Sequence, residues 1–563
     1  MRKAARAGAS SPCRRVRLEG SEVMSRSDSF SEPEATPVAP VERLLHTVAT
    51  TSARVVLGLA AGLLIARLMR RVRLHWSWAA AALFAAPLAD AVMRASGTVL
   101  GVGALSAAAW GRRWHREDID AGRDLRELAA AERSPLDVLR SLLHLGALRW
   151  RVRTRSGWFA GDELIIGRDE ANRLIAIPMG GAAGGTHALV LGATGSGKTI
   201  TEAWIAARAI ERGMGAVVID PKGDRALREA MAGAARASAK AFIEWSPEGP
   251  CVYNPYARGS DTEIADKALS GERFTEPHYL RQAQRYLGHV VRALRAARLE
   301  VSLGRLVEAL DPDGLERLAR TLPGPQADAA HAYLDALTAR QRVDLAGVRD
   351  RMAIIAESDL GQWLDPATAS ARPFDLLEAV RARAVVYFDL DCDSRPLLTQ
   401  MLGAAIVQDL QTTVAALQGR PTSTLALIDE FSALSVEQVV RLFGRARSAG
   451  LSLVLGTQEL ADLRMPARER ALEQVIGNLT VLIAHRQVLP ESCALIAGLA
   501  GTRGAWRTSR HSGGRTTRTR TTEPNLGAER LMGLAPGVAA VTVLTRSAGA
   551  RIVRIFSGAG ADA

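Results

Sequence analysis

The chain has 563 residues, four cysteines and a formal net charge of +13. That length excludes a single ordinary domain, and the lack of any CxxC pair argues against a zinc ribbon or a disulfide framework. A basic chain with 48% hydrophobic residues predicts a folded protein in a reducing compartment, with polyanionic partners such as nucleic acid or anionic lipid.

The N-terminal segment, residues 1–43, is polar and rich in Ser, Pro, Arg and Glu. Such a composition cannot bury enough apolar surface to fold, so a disordered tail is predicted. No apolar core follows the first basic residues closely, which argues against a secretory signal peptide. Met24 provides a second plausible start of translation.

Residues 44–111 contain three apolar stretches, at 55–66, 74–89 and 95–111. The first corresponds to ~18 Å of helix, which is short of the ~30 Å hydrocarbon core unless the helix extends back to Thr47. Arginine clusters flank the other two stretches, and this favours a hairpin with both ends in the cytoplasm. The sequence therefore predicts a transmembrane helical anchor of two or three spans, in contact with membrane lipid. The alternative is an alanine-rich soluble helical domain.

Residues 112–180 are predicted to form a connector that ends in two short strands, at 164–168 and 174–178. In residues 181–261, and again in 371–557, short apolar runs alternate with helical patterns. This alternation predicts an α/β fold with a mostly parallel sheet covered by helices. Residues 262–370 interrupt it with Leu/Ala periodicity and few β-branched runs, which predicts an all-helical insert. Residues 558–563 form a short tail.

A glycine-rich octet at 192–199 matches the pattern GxxxxGK[ST] at every position and lies between an apolar strand and a helical pattern. Glycines let backbone N–H groups turn toward phosphate oxygens, the lysine adds charge at the β- and γ-phosphates, and the threonine hydroxyl can bind Mg²⁺. The helix that follows adds the positive end of its dipole. We predict that ATP and Mg²⁺ bind at this loop, through Gly192, Ala193, Thr194, Gly195, Ser196, Gly197, Lys198 and Thr199.

Two carboxylates, Asp429 and Glu430, follow a run of four apolar residues. A strand of this kind delivers both groups to the sheet edge beside the glycine-rich loop. Asp429 is expected to hold the Mg²⁺ shell, and Glu430 to orient and activate the attacking water. The alternative is an ordinary acidic boundary between a strand and a helix.

Two further polar residues lie at the ends of the predicted strand at 452–456. Gln458 follows that strand and could sense the γ-phosphate, whereas Arg447 precedes it and could reach the nucleotide of a neighbouring subunit as an arginine finger. Arg445 and Arg470 compete for the finger role, and a solvated helix face is the alternative for all three.

Several stretches now match a known family in order: LVLGATGSGKT at 189–199, VVIDPKGD at 217–224, VYNP at 252–255, IDEFSAL at 428–434, RARSAG at 445–450 and GTQEL at 456–460. This order resembles the TraD/TraG-type coupling proteins of type IV secretion, a branch of the FtsK/HerA pump superfamily. The resemblance covers roughly residues 180–557.

The resemblance implies a RecA-like P-loop ATPase motor with an all-helical insert and a helical membrane anchor. Family members typically form a hexameric ring at the inner membrane, with the motor in the cytoplasm. They accept DNA from a relaxase or relaxosome and drive the single strand toward the secretion channel components. Lys198, Thr199, Asp429 and Glu430 match the family's nucleotide and metal residues, and Gln458 and Arg447 match its glutamine and finger candidates.

Two departures from the family pattern affect this expectation. The loop between the predicted membrane helices is very short, and the N-terminal tail is an addition. Docking to a full envelope-spanning channel is therefore an open question. The rival functions are a double-stranded DNA translocase of the FtsK/HerA type and a membrane receptor that recruits substrate without hydrolysis.

An arginine-rich stretch at 503–520 is predicted to be a mobile basic loop on a Gly, Ser and Thr background. Contacts from such a loop to phosphates are independent of sequence and sensitive to salt, and a tryptophan can stack on a base. The alternative is a disordered surface loop. The candidate DNA contacts are Arg503, Trp506, Arg507, Arg510, Arg515, Arg518 and Arg520.

Overall fold

The computed structural model describes residues 40–557 except 73, 86, 88–95, 121–134, 136–156, 181–184, 272–273, 275, 368–370, 392–393, 435, 464–470, 511–515 and 547–548. The predicted tails lie outside the described residues, apart from 40–43, which begin the first helix. Most of the predicted connector lies outside them as well.

The strands and α-helices alternate along most of the chain. The strands are β1 (Phe159–Ala160), β2 (Glu163–Asp169), β3 (Leu174–Pro178), β4 (His187–Leu191), β5 (Gly215–Asp220), β6 (Phe242–Trp245), β7 (Cys251–Tyr253), β8 (Arg372–Phe374), β9 (Val385–Asp389), β10 (Thr424–Ile428), β11 (Leu451–Thr457), β12 (Val481–Ala484), β13 (Thr502–Arg510), β14 (Thr516–Pro524), β15 (Val538–Val543) and β16 (Arg551–Ile555). The α-helices are α1 (Pro40–Arg71), α2 (Ser77–Ala82), α3 (Ser96–Asp120), α4 (Lys198–Glu211), α5 (Arg225–Ala237), α6 (Asp261–Leu269), α7 (Pro277–Ala296), α8 (Leu303–Leu310), α9 (Pro312–Ala319), α10 (Gly324–Asp335), α11 (Ala339–Ala356), α12 (Leu376–Arg381), α13 (Pro396–Ala416), α14 (Val436–Ala446), α15 (Ala471–Asn478), α16 (Pro490–Leu499) and α17 (Ala528–Met532).

One large sheet organises the motor, and its central part is parallel, as predicted. Seven neighbouring strands run in the order β12–β4–β11–β10–β5–β9–β6, with parallel pairing throughout. Strands β4, β10, β11 and β12 are buried along their whole length. Because helices cover both faces of such a sheet, its strands appear in the sequence as continuous apolar runs.

The register between neighbouring strands brings the carboxyl ends of the central strands to the same level. Ile428 at the end of β10 lies opposite Ile219 on one side and Leu455 on the other. Thr457, the last residue of β11, lies opposite Leu191, the last residue of β4. The loops that follow β4, β5, β10 and β11 therefore emerge at one edge of the sheet, where ligands bind in parallel α/β folds.

The antiparallel part of the sheet contains the two short strands predicted at the end of the connector. β2 pairs with β3 as expected, and β16 joins β2 to β15, which pairs with β12. The two strands that the sequence assigned to a connector thus extend the motor sheet.

The regular elements in the described residues of the predicted insert are all helices. It leaves the motor after β7 and returns at β8, and these two strands pair in parallel, with Tyr253 opposite Phe374. A buried ion pair then fixes the first insert helix to the motor: Lys267 Nζ of α6 lies 2.5 Å from Asp409 Oδ1 of α13, and the Tyr253 hydroxyl donates to the other oxygen at 2.6 Å. The Asn-Pro dipeptide after β7 therefore marks a rigid junction.

The pairing of the N-terminal helices differs from the predicted hairpin. The first apolar stretch extends back to Pro40 and forms the 32-residue helix α1, which packs against α3. In the described part of the second stretch, 74–89, the α-helix is only the six-residue α2. The Thr47 and Thr51 hydroxyls donate to carbonyls four residues earlier, so their hydrogen bonds are satisfied within α1.

Small residues allow close contact between α1 and α3. A Cβ atom built on Gly62 would lie 2.5 Å from the Gly103 carbonyl oxygen, and Ala66 packs on Ala107. Such close contact through small residues is typical of helices that associate in membranes. Among the described helices, the segment Val41–Arg71 alone is long and apolar enough to cross a membrane, by length and composition.

Candidate nucleotide site

The glycine-rich loop connects the end of β4 to the start of α4. Gly195 and Gly197 have φ angles of 74° and 105°, which residues with a Cβ adopt only at a cost. Gly197 is the N-cap of α4 and provides no side-chain cap, so the first N–H groups of the helix point into the loop. The backbone N–H of Gly537 donates to the Ser196 carbonyl at 2.9 Å and braces the loop from the β15 side.

Lys198 is the first residue of α4 and is buried in a group of carboxylates. Its ammonium contacts Asp429 Oδ1, and Glu202 Oε2 lies 3.7 Å away. Burial alone would lower the pKa of Lys198, but the charges of Glu202 and Asp429 more than offset it and hold that pKa above its ordinary value. The lysine is therefore charged and held in place by groups that a phosphate must replace.

Glu202 is a component of the site that the sequence analysis missed. It lies one helical turn after Lys198, is fully buried, and has no hydrogen-bond partner for either oxygen among the described residues. Burial, then the charge of Asp429, raises its pKa well above the ordinary value. Gly456 of β11 makes room for it, since a Cβ there would lie 2.0 Å from Glu202 Oε1. The helical spacing of four residues from Lys198 was the only available signal.

The carboxylates predicted at the end of β10 lie where expected, beside the glycine-rich loop. Asp429 follows the last residue of β10, and its Oδ1 accepts the backbone N–H of Glu430 at 2.8 Å. Glu430 has a φ of 41°, an unfavourable value for a residue with a side chain. Its Oε1 accepts from the hydroxyls of Ser432 at 2.9 Å and Thr457 at 3.2 Å. These bonds hold the carboxylate in one orientation.

Lys222 is a second residue that the motif comparison left without a role. It lies in the turn between β5 and α5, and its Nζ is 2.9 Å from Glu430 Oε2. Burial raises the pKa of Glu430, but the hydrogen bond and charge of Lys222 outweigh this and bring that pKa below its ordinary value. Glu430 is therefore ionised and paired.

Gln458 and His485 complete the edge of the site. The Thr194 hydroxyl of the loop lies 3.5 Å from Gln458 Oε1, which places Gln458 beside the expected phosphates. His485, after β12, has its Nε2 2.8 Å from the Thr201 hydroxyl. Burial lowers the pKa of His485 to about 4, so it is neutral at neutral pH. His485 therefore supports the loop, and the sequence analysis did not predict it.

The residues present fit a magnesium nucleotide. The hydroxyl oxygen of Ser196 is buried and has no partner within the described part of the chain, as expected of a group that faces a phosphate. Thr199 is half-buried at the second position of α4, and Asp429 contacts its neighbour Lys198. This donor set, a hydroxyl and a carboxylate beside a lysine, is the one that Mg²⁺ and phosphates need.

The comparisons with known proteins agree with this geometry. A family model for the type IV secretion-system coupling protein DNA-binding domain matches residues 172–521, which is more than half of the chain. The chain belongs to the type IV secretion-system coupling protein family.

Solved coupling proteins share the fold of this one. The bacterial conjugative coupling protein TrwBdeltaN70 is 17% identical, with a TM-score of 0.53, over 73% of this chain and 91% of that one. The plasmid coupling protein TrwB in complex with ADP and Mg²⁺ is 17% identical, with a TM-score of 0.51, over 73% and 92%. VirB4 of Thermoanaerobacter pseudethanolicus is 14% identical, with a TM-score of 0.48, over 71% and 98%. The comparison with curated proteins gives no match.

Arg447 of this coupling protein lies at the opposite end of the sheet from its own nucleotide site. It is exposed in the turn before β11, and its charge acts on His187, the first residue of β4. The glycine-rich loop follows the last residue of β4, so about 16 Å of strand separates the two. In this arrangement Arg447 cannot reach its own loop. Arg445 is exposed at the same end, and Arg470 is outside the described residues.

The arginine-rich stretch forms a β-hairpin, so the prediction of a mobile loop is wrong for its described residues. β13 and β14 pair from Thr502–Pro524 to Arg510–Thr516. Arg503 and Arg520 are exposed. Arg515 and the side chains of Trp506, Arg507, Arg510 and Arg518 lie outside what the structure describes.

Proposed function

We propose that this coupling protein is a membrane-anchored ATPase that recruits relaxase-linked DNA and pumps the single strand to a type IV secretion channel. One observation carries the proposal. Lys198, Asp429 and Glu430 lie together at the carboxyl edge of the parallel sheet, in a chain of the coupling protein family. The structure of TrwB with ADP and Mg²⁺ supports the same ligands for this chain.

Each residue of the site takes a role that its position favours. Lys198 leaves Asp429 and binds the β- and γ-phosphates, while Thr199 and Asp429 would hold Mg²⁺, which neutralises developing phosphate charge when bound. Glu430 accepts the proton of the attacking water, and its hydrogen bonds to Ser432 and Thr457 keep it oriented. Gln458 contacts the γ-phosphate side of the site.

Assembly into a ring, which we propose to be hexameric, would bring Arg447 to a neighbouring site. Its separation from its own loop and its exposure both favour action in trans. Mixing Arg447→Ala subunits with Lys198→Ala subunits should then restore part of the activity, because some interfaces combine an intact loop with an intact finger. Rings that show no recovery at any ratio would remove Arg447 from the site.

The close packing of α1 on α3, together with the exposed apolar surface of α1, supports an inner-membrane anchor. Leu57, Leu64 and Leu68 are at least 60% exposed in the isolated chain. A leucine-covered face of this kind is covered by lipid in the proposed location, with the motor in the cytoplasm. Release of the protein from membranes by carbonate washing would contradict the anchor.

The two rival functions make different predictions for DNA translocation by the full-length protein in detergent. We expect ATP-dependent displacement of streptavidin from the end of biotinylated single-stranded DNA, and little displacement from duplex DNA. A double-stranded DNA translocase would show the reverse preference. A receptor without hydrolysis would show neither, and Glu430→Gln would then behave as wild type.

A further inference from the structure

The turn after β5 aims Lys222 at the catalytic edge of the sheet. The carboxylate of Asp220, the last residue of β5, accepts the backbone N–H groups of Lys222, Gly223 and Asp224 at 2.9, 3.0 and 2.6 Å. The Tyr387 hydroxyl donates to the same carboxylate at 2.5 Å. This turn is built into the fold whether or not Lys222 has a partner.

Backbone geometry gives the turn little freedom. Gly223 has a φ of 72°, and a Cβ there would lie 2.7 Å from Asp389 Oδ1. Asp224 then caps α5, accepting from the backbone N–H groups of Ala226 and Leu227 at 2.8 and 3.1 Å. Because the backbone is fixed on both sides of Lys222, only the side chain of Lys222 is free to move.

The two ends of the Lys222–Glu430 pair differ in exposure. The Glu430 side chain is 8% exposed, whereas that of Lys222 is 38% exposed. The ammonium occupies Oε2, and the hydroxyls of Ser432 and Thr457 occupy Oε1. The ammonium takes one lone pair of Oε2 and stabilises the ionised carboxylate, which makes Glu430 a weaker acceptor of a proton from water. Release of Lys222 is the change that frees Oε2, because the other two donors belong to the buried edge.

We propose that Lys222 is a positioning residue that restrains Glu430 until a DNA phosphate draws its ammonium away. The proposal rests on the proposed function and adds the coupling between DNA binding and hydrolysis. Lys198 is nearly fully buried and faces the nucleotide, whereas Lys222 is open to solvent, where a polyanion can reach it. An ammonium on a long flexible stem suits such an exchange between a carboxylate and a phosphate.

The test is steady-state ATP turnover of the full-length protein in detergent, with and without single-stranded DNA, for wild type, Lys222→Met and Lys222→Arg. Without DNA, Lys222→Met should hydrolyse ATP about three- to tenfold faster than wild type, and stimulation by DNA should fall toward one. Lys222→Arg, which keeps the charge, should resemble wild type.

Arg225→Gln provides the matched control. It removes one positive charge from the same end of α5, where Arg225 pairs with Glu229 and is 88% exposed, without touching Glu430. It should leave basal turnover and DNA stimulation unchanged. Binding of a fluorescent ATP analogue verifies that each variant has a folded site, and Lys222→Gln replaces Lys222→Met if the latter fails this check.

Three results would overturn the proposal. A loss of basal turnover as large as that of Glu430→Gln would make Lys222 a catalytic group that serves the nucleotide. A faster basal rate with unchanged DNA stimulation would remove DNA as the releasing partner. Unchanged basal turnover with unchanged DNA stimulation would leave Lys222 a structural role only. Failure of the proposed function is a separate result, since Glu430→Gln would then hydrolyse ATP like wild type.

Discussion

The nucleotide edge of the sheet and the β13–β14 hairpin are two charged regions of this coupling protein, and they are built in opposite ways. At the nucleotide edge, charged side chains are buried and paired, as Lys198 is with Asp429 and Glu430 with Lys222. The hairpin forms a separate two-stranded sheet, and its described arginines, Arg503 and Arg520, are exposed.

The difference shows what each region can do. Buried and paired charges give fixed positions, which the chemistry of phosphate transfer needs. An exposed two-stranded hairpin has little stability of its own and suits contacts that move along a phosphate backbone without reading sequence. Substitutions at the nucleotide edge should therefore have large and position-specific effects, whereas those in the hairpin should be small and additive.

The largest effect on ligand binding is expected for Lys198→Ala. It removes charged hydrogen bonds to phosphate, each worth about 1.5–3 kcal/mol, so ATP affinity should fall by about 10- to 100-fold. Titration with a fluorescent ATP analogue measures this, and Arg320→Gln, an exposed arginine paired with Glu316, is the control. An affinity within twofold of wild type would mean that phosphates bind elsewhere.

The same substitution, glycine to alanine, made once in each region compares the two regions directly. Gly456→Ala places a methyl group 2.0 Å from Glu202 Oε1 and 2.9 Å from Asp429 Oδ1, so it should destabilise the motor by about 1–3 kcal/mol. Gly504→Ala in β13 places it 3.3 Å from the flexible end of Arg520, and the change should stay within about 0.5 kcal/mol.

Denaturant titration of both full-length variants provides the measurement. Combining Gly456→Ala with Glu202→Ala should recover part of the loss, because one of the two close contacts is removed. Equal stabilities for the two glycine variants would show that Gly456 does not make room for the buried carboxylate.

The sequence predicted the parts of this structure that short motifs determine through the backbone. The glycines of the loop and the strand before Asp429 place the nucleotide residues, because a buried parallel strand fixes which end its loop leaves from. Composition alone predicted less. Alternating Thr and Arg at 503–520 gave no signal beyond charge, and the hairpin depends on pairing between residues that no motif connects.

Tertiary contacts account for the residues that were missed. Glu202 reaches the site because Gly456 on another strand leaves space for it. Lys222 reaches Glu430 because β5 and β10 end at the same level in the sheet. The first apolar stretch was predicted from an uncharged run that starts after Arg54, whereas the helix α1 extends back to Pro40 and packs on α3.

A smaller effect is expected from the hairpin arginines. If about six phosphate contacts exist, log affinity for single-stranded DNA should fall against log salt with a slope of about −4, and changing Arg503, Arg507 and Arg520 to Gln should flatten that slope by about 2. The matched control replaces three arginines that have acidic partners, namely Arg225, Arg320 and Arg349. Identical slopes for the two triple variants would remove the hairpin from the DNA contacts.

The most direct test of the central claim is ATP turnover by full-length Glu430→Gln in the presence of single-stranded DNA. Because Glu430 is assigned as the proton acceptor for water, turnover should fall by about 10²–10⁴-fold while ATP binding stays within about twofold of wild type. A turnover rate equal to that of wild type, with ATP bound equally well, would contradict the assignment of this edge of the sheet as the catalytic site of a DNA pump.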